Sequence, residues 1–504
     1  MKSTATLLSL IVSLAITSHD AIADVRMPAI FSDHMVLQRD TVVPVWGWAD
    51  PGEKISVSIA GQTQNTMSSA DGKWMVKLAD LKLGDSRSLV VKGKNEIIIQ
   101  DVLVGEVWLG SGQSNMAMTV KSSMNFEKEQ STANLPLIRM FKEESAASAE
   151  EQTIGKGQWL VCSPESVGGY SATLFFFGRE IHKSLNVPVG LINSSVGGTP
   201  IESWIASDVQ RASKELKPFF DSSEKDKSAI ATEAEMKKYE SDLEAWQAAA
   251  KKARAENQTA PRKPTNPMEV RNRKSNVGGL FNGKIVPLIP YAIRGALWYQ
   301  GEANSVPAKA PFYEYQLPLL VNDWRSRWGY DFPFAWAQLP NFSGNGRDWP
   351  IVREAMFKTL ALPKTGMAIN IDIGDEKDIH PKNKQEVGRR LSLWALGDVY
   401  GQKVAATSGP LAHEHEIRGS EFVISFKHTN GGLVAKGDKL QGFEIRGGDM
   451  QWKPATAHIE NDKVVVSSTE VKKPMAIRYA WENFPTCNLY NGAGLPASPF
   501  RTDK

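Results

Sequence analysis

Apolar and polar residues alternate one by one in the first part of the chain. Ile55 to Ile59 reads Ile-Ser-Val-Ser-Ile, and Trp74 to Leu78 reads Trp-Met-Val-Lys-Leu. A period of two is typical of strands with one buried face, and turn signals such as Pro51-Gly52 separate these stretches. The pattern therefore predicts an all-β domain over residues 24–100.

The same alternation returns near the end of the chain. It is visible in Phe422 to Phe426 and in Val464 to Ser467. The pattern predicts a second β-rich domain over residues 409–504, so β domains are expected on both sides of the central part of the chain.

Residues 101–408 show a different pattern, in which continuous apolar runs are followed by loops and helical stretches. The runs are Val102–Leu109, Val187–Ile192, Ile293–Tyr299, Phe332–Leu339 and Met367–Ile373. Buried parallel strands give such runs, because helices cover both faces of their sheet. The runs predict an α/β domain. Ligands of such sheets lie beyond the carboxyl ends of the strands, so the residues after each run are candidates for a site.

A charged stretch interrupts this domain at about residues 209–276. Met236, Tyr239, Leu243 and Trp246 recur there at helical spacing, and a proline-containing segment follows at 260–264. The pattern predicts an inserted helical segment with one apolar stripe. We expect the stripe to pack on its own domain; a coiled-coil partner is the alternative.

The first 23 residues have the pattern of a secretory signal peptide. Lys2 precedes an apolar stretch from Leu7 to Ile16, and Ala21-Ile22-Ala23 is a small-x-small cleavage motif. The sequence thus predicts export to the periplasm or the medium, with cleavage near Ala23. No later segment has about 18 consecutive apolar residues, so no membrane span is predicted.

The charge balance and the cysteine content exclude several classes of protein. Lys and Arg total 59 against 56 for Asp and Glu, a net charge of +3, which argues against a nucleic-acid partner. The only cysteines are Cys162 and Cys487, too few for a disulfide scaffold or a thiolate metal cluster. They form either one disulfide or two buried thiols. No pattern determines the oligomeric state.

A serine stands where the first apolar run ends. The segment Gly110-Ser111-Gly112-Gln113-Ser114-Asn115-Met116 follows that run and reads as a strand-to-helix turn. Ser114 there would project above the sheet, and its N–H at a helix N-terminus would stabilise developing negative charge. The alternative is that Ser111 or Ser114 only caps the helix.

A serine nucleophile needs a base, and one histidine follows a buried run. His380 comes after Met367–Ile373 with several carboxylates before it. A carboxylate on the second imidazole nitrogen would fix the tautomer. Asp378 is the nearest in sequence, with Asp375 and Asp372 behind it. The alternative is a structural histidine that caps the next helix.

Two further loops are placed to supply an oxyanion hole. Asn193–Thr199 follows the second run, and its glycines would let a backbone N–H approach a ligand. Gln300–Asn304 follows the third run and offers side-chain amides. Either loop alone could be an ordinary turn. His413-Glu414-His415 is the one other candidate for chemistry, but a lone His-x-His without a third ligand predicts no zinc site.

Taken in order, these segments resemble the conserved blocks of the SGNH hydrolases, with the closest match to their sialate O-acetylesterase branch. The blocks are Gly112–Met116, Gly197–Thr199, Trp298–Asn304 and Asp378–Pro381. Phe31–Arg39 and Cys487–Asn491 also look like that branch, so the resemblance covers nearly the whole mature chain.

The resemblance implies a fold, a set of site residues and a chemistry. The fold is a flavodoxin-like, three-layer SGNH hydrolase domain flanked by β-sandwich or β-rich domains, without metal or organic cofactor. The implied roles are Ser114 as nucleophile, His380 as base, and the N–H groups of Ser114 and Gly198 with a side-chain amide as oxyanion hole. Position 377 departs from the family's Asp-x-x-His block, since it is Lys; this leaves Asp378 or Asp375 as the carboxylate. Gln300 and Asn304 compete as the amide; the supporting candidates are Gln113, Asn115, Gly197 and Glu302.

The implied activity is hydrolysis of acetyl esters on sugars through an acyl-enzyme. The alternatives are acetylated plant glycans such as xylan or xyloglucan as substrate, a lipase- or peptidase-like enzyme, and a carbohydrate-binding protein with an inactive hydrolase domain. An acidic sugar would need an arginine, and the candidates are Arg139, Arg347 and Arg353. Trp204, Trp298 and Trp349 could stack on a sugar but are expected in the core.

Overall fold

The computed structural model describes residues 24–226, 233–255 and 277–503, with residues 264 and 267 as single positions. The predicted signal peptide, residues 227–232, 256–263, 265–266 and 268–276 of the predicted insertion, and residue 504 lie outside the described residues.

Two layers of strands form the N-terminal region. The strands are β1 (Val36–Gln38), β2 (Val43–Trp48), β3 (Lys54–Ile59), β4 (Gln62–Met67), β5 (Lys73–Leu78), β6 (Arg87–Lys92) and β7 (Glu96–Gly112). β2 pairs with β5, while β3 pairs with β4 and β6, and β6 pairs with β7. The alternation in β3 and β5 is observed as predicted, since Val57 and Val76 are buried while Lys77 is exposed.

β7 joins this region to the central sheet. Its first half pairs antiparallel with β6, and residues from Leu103 onward pair parallel with β1 and then with later strands. The boundary predicted between residues 100 and 101 therefore lies inside one continuous strand.

The central sheet has the strand order β13-β12-β11-β7-β10-β8-β9. Its later strands are β8 (Leu135–Glu143), β9 (Gly157–Cys162), β10 (Val189–Ser195), β11 (Gly295–Tyr299), β12 (Phe334–Ala337) and β13 (Thr365–Ala368). All neighbours on this path are parallel except β8 and β9. The five apolar runs all contain strands of this sheet, which confirms the predicted α/β class; the antiparallel pair of β8 and β9 makes the sheet mixed.

Helices cover both faces of the sheet. The described helices of this part of the chain are α1 (Ser114–Ala117), α2 (Phe126–Ser131), α3 (Ala172–Leu185), α4 (Ser207–Ala212), α5 (Lys217–Asp226), α6 (Glu233–Ala255), α7 (Tyr313–Trp328), α8 (Trp349–Thr359) and α9 (Lys384–Trp394). Of these, α3 and α9 cover one face and α7 and α8 the other. Trp108 of β7 packs in one core with residues of α3 and α9, while Val107 and Leu109 pack in the other with residues of α7 and α8. Successive residues of one strand point to opposite faces, which produces the three layers.

The strand order places a crevice beside β7. From β7 the chain first builds β8 and β10 on one side, and then crosses to build β11, β12 and β13 on the other. Loops leave the carboxyl ends of β10 and β11 on either side of β7, and such a reversal is where parallel sheets bind ligands.

The C-terminal region is built of strands, as predicted. They are β14 (Leu411–Arg418), β15 (Glu421–Lys427), β16 (Leu433–Ala435), β17 (Phe443–Arg446), β18 (Trp452–Pro454), β19 (Thr456–Glu460), β20 (Lys463–Ser467), β21 (Ala476–Tyr479), β22 (Leu489–Asn491) and β23 (Phe500–Arg501). Phe422, Val464 and Ile477 lie in its core. Arg353 of α8, which is completely buried, donates hydrogen bonds to the carbonyls of Glu482 and Asn483 and so ties this region to the sheet.

α4, α5 and α6 form the described part of the predicted helical insertion. The side chains of the predicted stripe in α6 are half-buried, while their neighbours are exposed.

Across the described ranges, no helix is both long and apolar enough to cross a membrane. Cys162 and Cys487 are free thiols, so they form no disulfide; Cys162 is buried as the second alternative expects, whereas Cys487 is half-buried.

Candidate active site

Ser114 lies at the point where β7 turns into α1. Gly112 ends the strand at φ +134°, and a Cβ there would lie 2.2 Å from the carbonyl oxygen of Tyr299, so only glycine fits. Gln113 is the N-cap of α1 and Ser114 is its first residue. Ser111 is completely buried in the strand. Ser114 is therefore the serine of this segment that faces the crevice, and neither serine is the helix cap.

His380 lies next to Ser114 although 266 positions separate them in the chain. Its Nε2 is 2.8 Å from Ser114 Oγ, within hydrogen-bond distance. The histidine side chain is 41% exposed, so the pair is open to solvent. Asn383, not His380, caps the following helix α9, by accepting a hydrogen bond from the N–H of Glu386.

The carboxylates near His380 differ in what they bind. Asp378 Oδ1 accepts the backbone N–H of His380 at 2.9 Å and is 3.6 Å from His380 Nδ1, beyond hydrogen-bond distance. Asp375 accepts the backbone N–H groups of Lys377 and Asp378, which lowers the pKa of its carboxyl. Asp372 pairs with Arg390. Asp378 is the carboxylate nearest the imidazole, while Asp375 shapes the loop.

The loop after β10 lies against the serine. A Cβ on Gly197 would lie 3.5 Å from Ser114 Cβ, and Gly198 has φ +73° with open space around it. The backbone N–H groups of Ser114 and Gly198 have no backbone acceptor among the described residues. Two N–H donors beside a nucleophile are the elements of an oxyanion hole.

The amides of Gln300 and Asn304 are completely buried and bind protein groups. Gln300 Nε2 donates to Thr199 O and to Asn304 Oδ1, and its Oε1 accepts the hydroxyl of Tyr313. Asn304 Nδ2 donates to Glu202. Both side chains hold the loops around the crevice, so the geometry does not favour the oxyanion role predicted for them.

Gln113 is better placed to serve as a side-chain donor. Its Oε1 accepts the backbone N–H of Ala303, and none of the side-chain hydrogen bonds found among the described residues involves its Nε2. The residue directly precedes Ser114 in the turn after β7.

Three buried polar side chains, Asn115, Glu302 and Lys384, form a hydrogen-bonded cluster next to the Ser114–His380 pair. Asn115 Nδ2 donates to Glu302 Oε1 and to the carbonyl of Ile379, and Asn115 Oδ1 accepts from Lys384 Nζ. Burial raises the pKa of Glu302, whose Oε2 has no partner within the described part of the chain. Burial lowers the pKa of Lys384 to about 7.

Sequence reasoning missed Lys384. Its only signal in the sequence is that it lies close to His380, and the same is true of Lys382. The structure separates the two, because Lys382 is exposed and Lys384 is completely buried.

The other candidate side chains lie away from the crevice or in the core. Trp204, Trp298 and Trp349 are completely buried, so they pack in the core and do not stack on a ligand. Arg139 is bound to Asp101, whereas Arg347 is half-exposed and donates to the carbonyl of Glu302. Of the three arginine candidates, Arg347 alone lies beside the site with part of its guanidinium unbound.

No group of three His, Cys, Asp or Glu side chains able to hold a metal ion is present in the ranges that the structure describes. His413 lies beside Glu414, and the ring of His415 stacks on Phe422. The His-x-His segment therefore makes local contacts in β14.

A serine–histidine pair within hydrogen-bond distance, at the carboxyl end of the central strand of an α/β sheet, is an arrangement typical of hydrolases. Similarity to known proteins identifies the family. The model of the family SASA, described as carbohydrate esterase, sialic acid-specific acetylesterase, matches residues 104–253 and 283–395, just over half of the chain. The chain belongs to this family.

Its relatives match over nearly the whole chain. The sialate O-acetylesterase of Mus musculus is 28% identical over 539 residues, covering 97% of this chain and 96% of that protein. The human sialate O-acetylesterase is 28% identical and covers 94% and 92%. The crystal structure of a carbohydrate acetylesterase from Xanthomonas citri is 33% identical, with a TM-score of 0.81 over 95% of this chain and 100% of that one.

Proposed function

We propose that this chain is a serine-type O-acetylesterase of the SGNH kind that removes acetyl groups from carbohydrates. The observation that carries the proposal is the 2.8 Å approach of His380 Nε2 to Ser114 Oγ at the carboxyl end of β7. Membership in a carbohydrate esterase family supports the reaction and the substrate class.

In the acylation step, His380 acts as a general base. Its Nε2 accepts the Ser114 hydroxyl proton while Oγ attacks the carbonyl carbon of the acetyl ester. The tetrahedral intermediate then collapses, the sugar oxygen leaves with the proton from the imidazolium, and acetyl-Ser114 remains. A water activated by His380 attacks this ester, and Ser114 and acetate are released.

The oxyanion is held by backbone donors from two loops. The N–H groups of Ser114 and Gly198 have no backbone acceptor among the described residues, and we assign Nε2 of Gln113 as the third, side-chain donor. One such donor typically contributes about 3 kcal/mol to the transition state.

The substrate class that the relatives' names suggest is an acetylated sialic acid. Arg347 is the residue of this chain that suits the sugar carboxylate, because it is half-exposed and its guanidinium makes one hydrogen bond, to Glu302 O. A neutral acetylated glycan would not use this charge.

We also propose that residues 1–23 direct export, which N-terminal sequencing of the protein from the medium or periplasm would test.

The test compares wild type with Ser114→Ala and with Ser111→Ala as a matched control. Ser111 lies in the same segment but is buried in β7. We expect Ser114→Ala to reduce acetate release from an aryl acetate by at least about a thousandfold, and Ser111→Ala to retain most of it. Equal inactivity of all three proteins, with ligand binding intact, would favour the inactive, carbohydrate-binding alternative.

The substrate is then identified with the active protein. Acetate release is compared on O-acetylated sialic acid, its methyl ester and acetylated xylan. A preference for the free acid that disappears in Arg347→Met would support the sialic acid assignment; equal rates on the acid and its methyl ester would refute it.

A further inference from the structure

Lys384 occupies a position that is unfavourable for a cation. It is the first residue of α9, where the helix dipole disfavours positive charge, and its side chain is completely buried. Desolvation lowers the pKa of its ammonium group to about 7. A buried lysine at a helix N-terminus lowers the stability of the fold unless hydrogen bonds of its Nζ compensate.

Lys384 Nζ binds the loop that carries His380. It donates one hydrogen bond of 2.7 Å to the carbonyl of Pro381, the residue after His380, and a second of 2.7 Å to Asn115 Oδ1. It also lies 5.3 Å from the centre of the Tyr299 ring at the end of β11. These contacts connect α9, the His380 loop, α1 and the central sheet.

Asn115 holds the same loop on the other side. Its Nδ2 donates a 3.0 Å hydrogen bond to the carbonyl of Ile379, the residue before His380. Lys384 and Asn115 thus bind the carbonyls on both sides of His380, and Asn115 is the neighbour of Ser114 in α1. Two hydrogen bonds between residues 264 and 269 positions apart in the chain thus connect the segment around His380 to the neighbour of Ser114.

The imidazole has little else to orient it. Asp378 lies beyond hydrogen-bond distance from Nδ1, and both side chains are nearly half exposed, where an ion pair contributes little. The acidic groups that interact with Lys384 are Glu302 and Asp378. A neutral amine still carries two N–H groups, one for each acceptor, so both links persist after Lys384 loses its proton.

We propose that Lys384, acting with Asn115, is a positioning residue that holds His380 Nε2 against Ser114 Oγ. The inference rests on the proposed serine-esterase function. In this role Lys384 does not touch the substrate and acts through His380. Its effect is on the attack geometry, where a displacement of about 1 Å can cost about a hundredfold in rate.

The test uses Lys384→Met, which keeps the apolar length and removes the donor, with Lys382→Met as the matched control for a lost positive charge near His380. We expect kcat on an aryl acetate to fall by about 10- to 100-fold in Lys384→Met with KM changed less than about threefold. The rate of Ser114 phosphonylation by an organophosphonate should fall by the same factor. Lys382→Met should stay within about twofold of wild type.

Rates are expressed per folded molecule from thermal melts, so a loss of folded protein is not counted as a loss of rate. A folded Lys384→Met with wild-type kcat and phosphonylation rate would overturn the proposal, as would an equal effect of Lys382→Met. Should Lys384→Met not fold, Asn115→Ala in the same assays removes Lys384's side-chain acceptor and the link to Ile379, and an unchanged rate would overturn the proposal equally.

A crystal structure of the variant separates this proposal from the proposed function. We expect the distance from Ser114 Oγ to His380 Nε2 to exceed about 3.5 Å. An unchanged 2.8 Å would refute the positioning role, whatever the enzyme hydrolyses. If the wild type cleaves no ester but the variant shows the longer distance, the proposed function fails while the structural role of Lys384 stands.

Discussion

Replacement of Asp378 by Asn tests how much the carboxylate contributes to the site. Asn keeps an Oδ1 that can accept the backbone N–H of His380, so the loop retains its 2.9 Å hydrogen bond, while the negative charge 3.6 Å from Nδ1 is removed. The variant therefore isolates the electrostatic effect of Asp378 on the imidazolium that forms during the reaction.

The magnitude follows from exposure. At 3.6 Å in a medium as polar as water, two unit charges interact by about 1.2 kcal/mol, or roughly sevenfold in rate. The side chains of His380 and Asp378 are 41% and 49% exposed, and exposed ion pairs contribute at most about 1 kcal/mol, which agrees with the value for water. A buried triad carboxylate typically contributes about ten-thousandfold.

We therefore expect Asp378→Asn to lower kcat/KM on an aryl acetate by no more than about tenfold at neutral pH. Asp378→Ala should lose more, because it also frees the N–H of His380. The assay is steady-state hydrolysis at low and at high salt, since salt screens an exposed pair. A loss of a thousandfold or more in Asp378→Asn would refute the reasoning and indicate that the loop closes and buries the pair when substrate binds.

Two further predictions concern stability. Burial raises the pKa of Glu302 above its value in the unfolded chain, so its contribution to stability is present at low pH and is lost as pH rises through the raised pKa. Glu302→Gln keeps an acceptor for Asn115, and its Tm should exceed that of wild type at pH 8 and approach it at pH 5; a variant less stable at pH 8 would contradict this. Arg353→Met should lower the free energy of unfolding by about 3–5 kcal/mol, because buried carbonyls including those of Leu339 and Glu482 lose their donor. Activity per folded molecule at 25 °C should be unchanged, and urea unfolding beside an aryl-acetate assay measures both.

The sequence predicted the strands well, and it singled out Ser114 as a candidate, because both signals are local. A strand buried on both faces must be apolar throughout, so the runs ending at Leu109 and Tyr299 were recognisable without knowledge of their neighbours. Ser114 stood out because small residues had to follow such a run where the chain turns sharply into a helix.

The partners of each polar side chain could not be predicted in this way. Gln300 and Asn304 carry suitable amides and follow a strand, but only the folded chain shows that Thr199 O and Glu202 already bind them. In the same way, Asp375 and Asp378 are both aspartates close to His380 in the sequence, and only the path of the loop decides which of them lies near the imidazole.

By itself, the sequence determined the α/β class with β regions at both ends, and the serine, histidine and glycines of the candidate site, since chain turns and buried strands impose residue types locally. The tertiary structure decided which amides are occupied, how far Asp378 lies from His380, and that Lys384 reaches Asn115 across 269 positions. Hydrogen bonds act over about 3 Å, and residues so far apart in the chain meet within that distance only after the sheet and its helices have packed.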